Sequence, residues 1–269
     1  MNPAARIKAT IELLSYIRTS PVPMDTTIGD YMRARRFIGS KDRANIAERV
    51  YDIIRAHARL TWWLEKTGRV DTPRSRVILW LALAELKSGT FEILDLFDGT
   101  KYGPERLTED EHKLALYLAD KPLVSPEMPE AVQVECPPSY EHDLRASFGD
   151  NFKAEMNAMQ DGAALDLRVN LSKQNREAVQ AALRKDRVYT EPTPYSSAGL
   201  RAQNKAFVSK TKAFIKGWID IQDEGSQLIA AICDAQPGMQ VLDYCAGAGG
   251  KTLALADAMN NKGRIVAMD

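Results

Sequence analysis

A glycine-rich turn near the carboxyl end constrains the possible folds of this chain more than any other stretch. A short apolar run at 241–242 ends at Asp243, glycines stand between 247 and 250, and a second apolar run ends near Asp269. Glycine allows the backbone angles that a tight turn needs, and the Ala/Leu-rich stretch that follows predicts a helix from Leu253 to Met259. The pattern therefore predicts strand, turn, helix and strand, which is half of a nucleotide-type α/β unit.

Spacing separates three possible ligands of this turn. A phosphate-binding loop of NTPases requires glycine where Cys245 stands, so the Gly-Lys-Thr tripeptide at 250–252 matches only the tail of that motif. A dinucleotide fingerprint that starts at Gly247 requires glycine where Thr252 stands, and threonine does not allow the close helix-to-strand packing that glycine gives. The third turn is that of class I S-adenosylmethionine-dependent methyltransferases, in which acidic residues end both strands and small residues form the turn. This chain has all of these features.

The second acidic residue suits the methyl-donor interpretation. Asp269 lies roughly 20 residues after the turn, the distance at which an acidic side chain accepts both ribose hydroxyls of a nucleoside cofactor. The predicted cofactor is S-adenosyl-L-methionine. The residues predicted to bind it are Asp243, Cys245, Ala246, Gly247, Ala248, Gly249, Gly250, Lys251 and Asp269.

Three motifs carry a wider resemblance. They are Pro-Gly-x-x-Val-Leu-Asp-x-Cys-Ala-x-x-Gly-Gly-Lys-Thr at 237–252, Gln-Asp-Glu-x-Ser at 222–226 and Arg-x-Asn at 168–170. In this order they resemble the Fmu/Sun (NOP/Sun) family of RNA cytosine-C5 methyltransferases, of the type that acts on 16S ribosomal RNA. Ala248 stands where the family usually has proline, which removes some rigidity from the turn but adds no bulk. In the family the second motif lies against the cofactor region, so Asp223 and Ser226 are candidates for shaping that pocket.

The resemblance also implies a mechanism for which this sequence lacks the nucleophile. In the family a cysteine thiolate adds to C6 of cytosine, and C5 then takes the methyl group. The family's Pro-Cys and Thr-Cys motifs are absent here. Cys245 lies in the cofactor turn, Cys233 is predicted on a buried helix face, and Cys136 lies in a proline-rich stretch. We therefore predict no catalytic residue within the chain, and we expect an inactive fragment whose nucleophile lies beyond residue 269.

Two other functions remain open on the sequence. A non-enzymatic RNA-binding or assembly protein with a degenerate methyltransferase remnant would show the same motifs. A methyltransferase that acts on another acceptor is a third possibility, because a shared fold does not fix the substrate.

Charge is segregated along a chain that is neutral as a whole. There are 36 basic and 36 acidic residues in total, but residues 31–76 hold 12 basic and 5 acidic residues, while residues 90–161 hold 6 and 16. Such asymmetry favours a basic face for a polyanion, although a solvated helix surface would give the same counts. We predict RNA backbone contacts at the turn between the second and third helices, through Arg33, Arg35, Arg36, Lys41 and Arg43.

A second basic stretch interleaves cations with aromatic rings. Residues 184–216 contain eight basic residues together with Tyr189, Tyr195, Phe207 and Phe214, a combination that single-stranded RNA binding uses. The alternative is a small domain whose aromatic rings are core and whose lysines are solvated. The predicted RNA contacts here are Lys205, Lys210 and Lys212.

The predicted architecture is multidomain. It comprises an all-α helical bundle, then a small α+β domain, then the start of a class I, Rossmann-like α/β domain. Residues 1–122 form the helical domain, which resembles the NusB-like domain of some family members and is expected to bind RNA. The predicted proline-rich linker is 123–138, the small RNA-binding subdomain is 139–216, and the incomplete catalytic domain is 217–269. Within the bundle we predict a helix at 27–37 and another from Thr72 to Gly89. Between them we predict a helix that begins with an N-cap at Ser40 and carries His57 on its buried face.

Composition excludes several classes of protein. Three cysteines without Cys-x-x-Cys spacing argue against a disulfide framework and a zinc site. The apolar run at 77–84 is too short to span a bilayer, and the first residues lack the pattern of a signal peptide. We expect a cytoplasmic monomer that binds RNA, with no metal and no membrane association.

Overall fold

The computed structural model describes residues 1–86, 92–203 and 208–269. They form two compact units, Met1–Asp161 and Gly162–Asp269. The first unit is helical and the second contains two small sheets.

The helices of the first unit enclose a large apolar core, and a smaller separate cluster includes Val134, Phe152 and Met156. Among the fully buried side chains of the large core are Leu13, Ile46, Leu60 and Phe97. A π-helical turn at Leu81–Glu85 continues α5. The helices are α1 (Pro3–Thr19), α2 (Met24–Ala34), α3 (Ser40–Arg55), α4 (His57–Lys66), α5 (Pro73–Trp80), α6 (Ile93–Leu96), α7 (Glu109–Leu118), α8 (Glu130–Gln133), α9 (Glu141–Phe148) and α10 (Phe152–Gln160).

Local signals predicted some helix ends and not others. Thr72 forms a capping box with Ser75 at the start of α5, as its spacing from Pro73 indicates. The N-cap of α3 is Gly39, so Ser40 is already helical. The helix at 27–37 begins earlier, directly after Pro23, and ends at Ala34. The predicted end at Gly89 lies outside the described residues.

The prediction that His57 lies in the core is wrong. The helix that was expected to continue through it breaks at Ala56, whose φ and ψ are −91° and 27°. His57 therefore begins α4 and its side chain is exposed, while Ala56 and Leu60 take the buried positions. Arg49 in α3 is only 7% exposed, and Glu85 accepts two hydrogen bonds from its guanidinium group.

The proline-rich stretch at 123–138 differs from an extended linker. It contains α8 and buries Met128 and Val134. The carboxylate of Glu135 accepts hydrogen bonds from the backbone amides of Ala58 and Arg59 at 2.6 and 3.0 Å. A carboxylate at this position satisfies free amide groups at the start of α4 and interacts well with the helix dipole. The stretch therefore packs within the first unit.

The second unit contains a four-stranded antiparallel sheet. Its elements are β1 (Asp166–Val169), α11 (Arg176–Lys185), β2 (Thr190–Pro192), β3 (Gly199–Ala202), α12 (Lys212–Ile215) and β4 (Ile219–Ile221). The spatial order is β2-β3-β1-β4, which together with the βαββαβ chain order is the ferredoxin-like arrangement. Leu167, Val179 and Leu200 lie in its core.

The end of the chain forms a parallel strand pair joined by a helix. After α13 (Glu224–Ile232) come β5 (Gln240–Asp243), α14 (Gly250–Ala258) and β6 (Arg264–Ala267), and β5 pairs with β6 in parallel. The predicted strand, turn, helix and strand are thus present. Helix α14 begins three residues before the predicted Leu253 because Gly249, at φ +86°, serves as a left-handed N-cap.

Candidate functional site

The glycine turn lies at the carboxyl ends of the two parallel strands. Asp243 is in register with Ala267, the amide of Met268 donates to the carbonyl of Asp243 at 2.8 Å, and the amide of Ala246 donates to the carbonyl of Met268 at 2.9 Å. Gly249 donates to the carbonyl of Ala246 at 2.8 Å. These bonds fix the turn against the end of β6, the edge at which open α/β sheets bind ligands.

Two glycines of the turn adopt angles that disfavour other residues. Gly247 has φ +52° and Gly249 has φ +86°, and no atom lies within 4 Å of the position that a side chain would take at either. Both face open space, so a ligand has room to approach the backbone.

The structure brings most of the predicted cofactor residues together on one accessible surface. Asp243 alone among them is buried. Exposed residues are Cys245, Gly247, Ala248 and Asp269, and half-buried residues are Ala246, Gly249, Gly250 and Lys251. Asp269 follows β6 as Asp243 ends β5.

Asp243 is held by a residue to which the sequence patterns assigned no role. The hydroxyl of Thr252 donates to Oδ2 of Asp243 at 2.6 Å, and Asp243 is 8% exposed. Threonine at this position closes the first turn of α14 back onto the end of β5. The sequence could have indicated this role, because Thr252 is the last residue of the Gly-Lys-Thr tripeptide that ends the turn.

The motif at 222–226 contacts the same turn through Gln222. Gln222 is 6% exposed, and neither polar atom of its amide has a hydrogen-bond partner among the described residues. A side-chain carbon at Gly250 would lie 3.6 Å from its Nε2. Asp223 instead caps α13 by accepting from the amide of Ser226 at 3.3 Å. Gln222, which was not among the residues predicted from the sequence, is the residue of this motif beside the glycine turn.

Arg168 of the third motif is buried in a salt-bridge network. It is 3% exposed; its Nη2 lies 2.6 Å from Oδ2 of Asp220 and its Nη1 lies 3.5 Å from Oδ2 of Asp257 in α14. Asp257 also accepts from the amides of Leu171 and Ser172, both at 3.0 Å. Arg168 and Asp257 line a cavity of about 410 Å³ together with Ser196 and Gln227.

The residues predicted to contact RNA at the α2–α3 turn differ in whether other groups of the protein already bind their side chains. Arg33 pairs with Asp30, and Arg35 stacks on Tyr31. Arg43 donates to the carbonyls of Ile38 and Arg35, so it holds the turn. Arg36 and Lys41 are exposed.

The second predicted basic stretch is described only in part. Lys210 and Lys212 are exposed, while Lys205 and Phe207 lie outside the described residues. Tyr189 and Tyr195 are 46% and 77% exposed, and Phe214 packs on the core of the four-stranded sheet.

The cysteines differ from expectation at one position. Cys136 is buried, and burial raises the pKa of its thiol. Cys233 is exposed rather than buried, as is Cys245 in the turn. The described residues hold no group of three or more His, Cys, Asp or Glu side chains arranged for a metal ion. Within the same ranges, every helix is too short or too polar to cross a bilayer.

Comparison with known proteins gives three results. Residues 140–209 match the model of the ferredoxin-like domain of Methyltr_RsmF/B-like proteins. Ribosomal RNA small subunit methyltransferase B of Pseudomonas putida is 32% identical over 47% of this chain and 29% of its own length. The protein of the same name from Erwinia tasmaniensis is 24% identical over 88% of this chain and 57% of its own length.

The fold of the chain resembles that of a solved structure. The crystal structure of PH0851 matches with a TM-score of 0.69 and 22% identity, covering all of this chain and 64% of its own. The alignments with the curated relatives span between about a quarter and somewhat over half of their length. These matches confirm the resemblance to the Fmu/Sun family, and the match to the RsmF/B-like ferredoxin-like domain covers residues 140–209 of this chain.

Proposed function

We propose that this chain is the RNA-binding portion and the beginning of the cofactor site of an S-adenosylmethionine-dependent methyltransferase that modifies C5 of cytosine in ribosomal RNA. The observation that carries the proposal is the glycine turn between β5 and β6, with Asp243 and Asp269 at the ends of the two strands. The names of the relatives support the RNA substrate. The parallel pair is then the start of a class I α/β domain, and the protein acts as a cytoplasmic monomer.

The residues of the turn fit a nucleoside cofactor. Open backbone at Gly247 and Gly249 admits close approach, and the proposed role of the exposed carboxylate of Asp269 is to accept hydrogen bonds from the ribose hydroxyls. The buried, unpartnered amide of Gln222 beside Gly250 has donor and acceptor capacity to spare. When bound, S-adenosylmethionine supplies an electrophilic methyl group. The chain's own residues bind and orient it, while Thr252 holds Asp243 at the base of the turn.

The nucleophile of the reaction does not come from these 269 residues. Cys136 is buried with a raised pKa, which keeps its thiol protonated and unreactive at neutral pH. Cys245 belongs to the turn itself, and Cys233 follows α13 with its thiol near the carbonyl of Ile229. We therefore expect the chain by itself to transfer no methyl group to RNA. Robust single-turnover methylation of RNA by this chain would refute that expectation.

Cofactor binding is tested by nuclear magnetic resonance with S-adenosylhomocysteine, because this method detects the weak binding that we expect. Amide shifts should change at the turn and at Asp269, and the Asp269→Asn variant should weaken the response. Glu177→Gln, which neutralises another exposed acid of the second unit, is the matched control. Absence of shifts at the turn at millimolar ligand would favour a non-enzymatic RNA-binding protein with a degenerate turn.

The activity of the protein in the cell is tested by mass mapping of methylated cytosines. Ribosomal RNA from a strain that lacks the gene should have lost one or more 5-methylcytosines that the parent strain contains. An unchanged pattern of methylated cytosines would exclude the proposed reaction.

A further inference from the structure

A cleft on the first unit combines aromatic rings with cations. It encloses about 300 Å³ between the start of α1, the α2–α3 turn and the loop after α6. Small side chains of α1 leave room in it. Its charged and aromatic lining includes Lys8, Arg35, Phe37, Lys101 and Tyr102.

Two of the aromatic rings are unusually exposed. The exposed fraction is 77% for Phe37 and 68% for Tyr102. Ile38 is 2% exposed, and the Nε of Arg43 donates to its carbonyl at 2.7 Å, so the turn is fixed with Ile38 inward and Phe37 outward. A single exposed apolar side chain needs no explanation, but two exposed rings that line one cleft form a patch of the kind that binding surfaces use.

The cations of the cleft are positioned by contacts within the unit. The guanidinium carbon of Arg35 lies 3.7 Å from the ring centre of Tyr31, and the Tyr31 hydroxyl donates to Glu12 at 2.9 Å. Burial and the Glu12 carboxylate raise the pKa of Tyr31, so it stays a neutral donor. Nζ of Lys8 donates to the carbonyl of Lys101 at 3.1 Å and joins α1 to the loop.

The balance of charge in the cleft is positive. Glu12 is the single carboxylate among the described residues that line it, and it is engaged by Tyr31 and by Arg35 at 3.6 Å. Neither Lys8 nor Lys101 forms a salt bridge with any described residue. The cleft therefore offers one ligand two exposed rings and two ammonium groups that no described carboxylate pairs with, and the Lys101 ammonium lies 5.5 Å from the ring centre of Tyr102.

We propose that this cleft binds an unpaired nucleotide of single-stranded RNA, with its base stacked on Phe37 or Tyr102 and its phosphate held by Lys8 and Lys101. Bases stack on aromatic side chains regardless of sequence, and lysines track the backbone. The volume suits one base, not a duplex, whose bases are already stacked on each other. The proposal rests on the proposed function, since it assumes that the chain meets RNA.

The test measures binding of a fluorescently labelled single-stranded oligoribonucleotide to the complete 269-residue chain. The double variant Phe37→Ala/Tyr102→Ala should bind at least about fivefold more weakly, the lower end of the loss for one stacked base. Lys8→Ala/Lys101→Ala should lower the slope of log affinity against log salt by roughly 0.7 for each phosphate that the variant no longer neutralises. The matched controls are Tyr140→Ala, 61% exposed, and Lys153→Ala, also exposed.

The outcomes separate this proposal from the proposed function. If the wild-type chain binds no RNA, both proposals are overturned. If it binds RNA but the aromatic variant binds equally well, only the cleft is excluded, and the basic residues of the second unit become the RNA site. Equal loss of duplex RNA binding in the aromatic variant, or tighter binding of an acidic peptide than of RNA, would also overturn base stacking in the cleft. Photocrosslinking of 4-thiouridine RNA should label the peptides that contain Phe37 or Tyr102.

Discussion

Neutralising Asp166 tests how the ferredoxin-like sheet is held together. Asp166 on β1 is directly opposite Arg201 on β3, and its carboxylate lies 2.7 and 2.8 Å from two guanidinium nitrogens. It also accepts from the amide of Glu224 at 3.3 Å. Asp166 is 3% exposed, so the substitution Asp166→Asn removes charge from the buried carboxylate of a bidentate pair.

The expected loss is about 2 kcal/mol, within the range for hydrogen bonds to a charged group. The larger penalty for a stranded buried ion does not apply, because the side chain of Arg201 is 37% exposed and water solvates it. The assay is native-state hydrogen exchange at the amides of Leu167 and Leu200, which reports on this sheet alone. Exchange should become about thirtyfold faster, since each 1.4 kcal/mol is a factor of ten.

The matched control is Glu191→Gln on β2. Glu191 is also opposite Arg201, but it is exposed and forms no ion pair with any described residue, so the change should stay within about 0.5 kcal/mol. Equal effects of the two substitutions would refute the assignment of the stability to the Asp166 pair.

The pH dependence of the same pair has a defined sign. Hydrogen bonding to Arg201 lowers the pKa of Asp166 below its ordinary value of 3.8. A lowered pKa stabilises the folded state above the pKa of the unfolded chain, and this stabilisation is lost as pH falls through the folded-state pKa. The difference in the free energy of unfolding between wild type and Asp166→Asn should therefore become smaller only below about pH 4. A difference that narrows near neutral pH would contradict this reasoning.

Two further predictions concern the turn and the thiols. The substitution Thr252→Val removes the hydrogen bond to Asp243 while keeping the shape of the side chain. S-adenosylhomocysteine should therefore shift the amide resonances of the turn less than in the wild type. Unchanged shifts would show that the Thr252 hydrogen bond to Asp243 does not affect ligand binding. Iodoacetamide should label Cys233 and Cys245 quickly and Cys136 slowly, because burial raises the pKa of the Cys136 thiol. Peptide mass spectrometry measures the labelling rate of each cysteine, and equal rates would show that the Cys136 thiol is accessible.

Features that depend on neighbouring residues were predictable from the sequence. Positive φ angles at Gly247 and Gly249 follow from the residue type, and the ending of β5 at Asp243 follows from the short apolar run before it. The strand at Asp166–Val169 follows from alternation of apolar and polar residues. In each case the deciding interaction lies within a few positions along the chain.

Features that depend on distant residues were not predictable. Arg49 is buried because Glu85, 36 positions later, accepts from its guanidinium group, and a helical stripe alone places an arginine in solvent. His57 is a local exception: its side chain is exposed because the helix breaks at Ala56, and no proline or glycine marks that break. The contact of Gln222 with the glycine turn requires two segments that are separated by a helix and a strand. Periodicity carries no information about such pairs.

The contacts of α14 explain why the small sheet precedes the cofactor turn so closely. At the start of the helix, Gln222 lies beside Gly250; near its end, Asp257 accepts from the amide of Ser172 just after β1 and is paired with Arg168. The helix that follows the glycine turn is thus held at both ends by residues from before the turn, and the contacts of Asp257 cross the boundary predicted at 216–217. Arg168 is buried and bridges the carboxylates of Asp220 and Asp257, so an ion-pair network connects the four-stranded sheet with α14. Under the proposed function, this network would connect RNA held on the ferredoxin-like sheet with the helix that follows the methyl-donor turn.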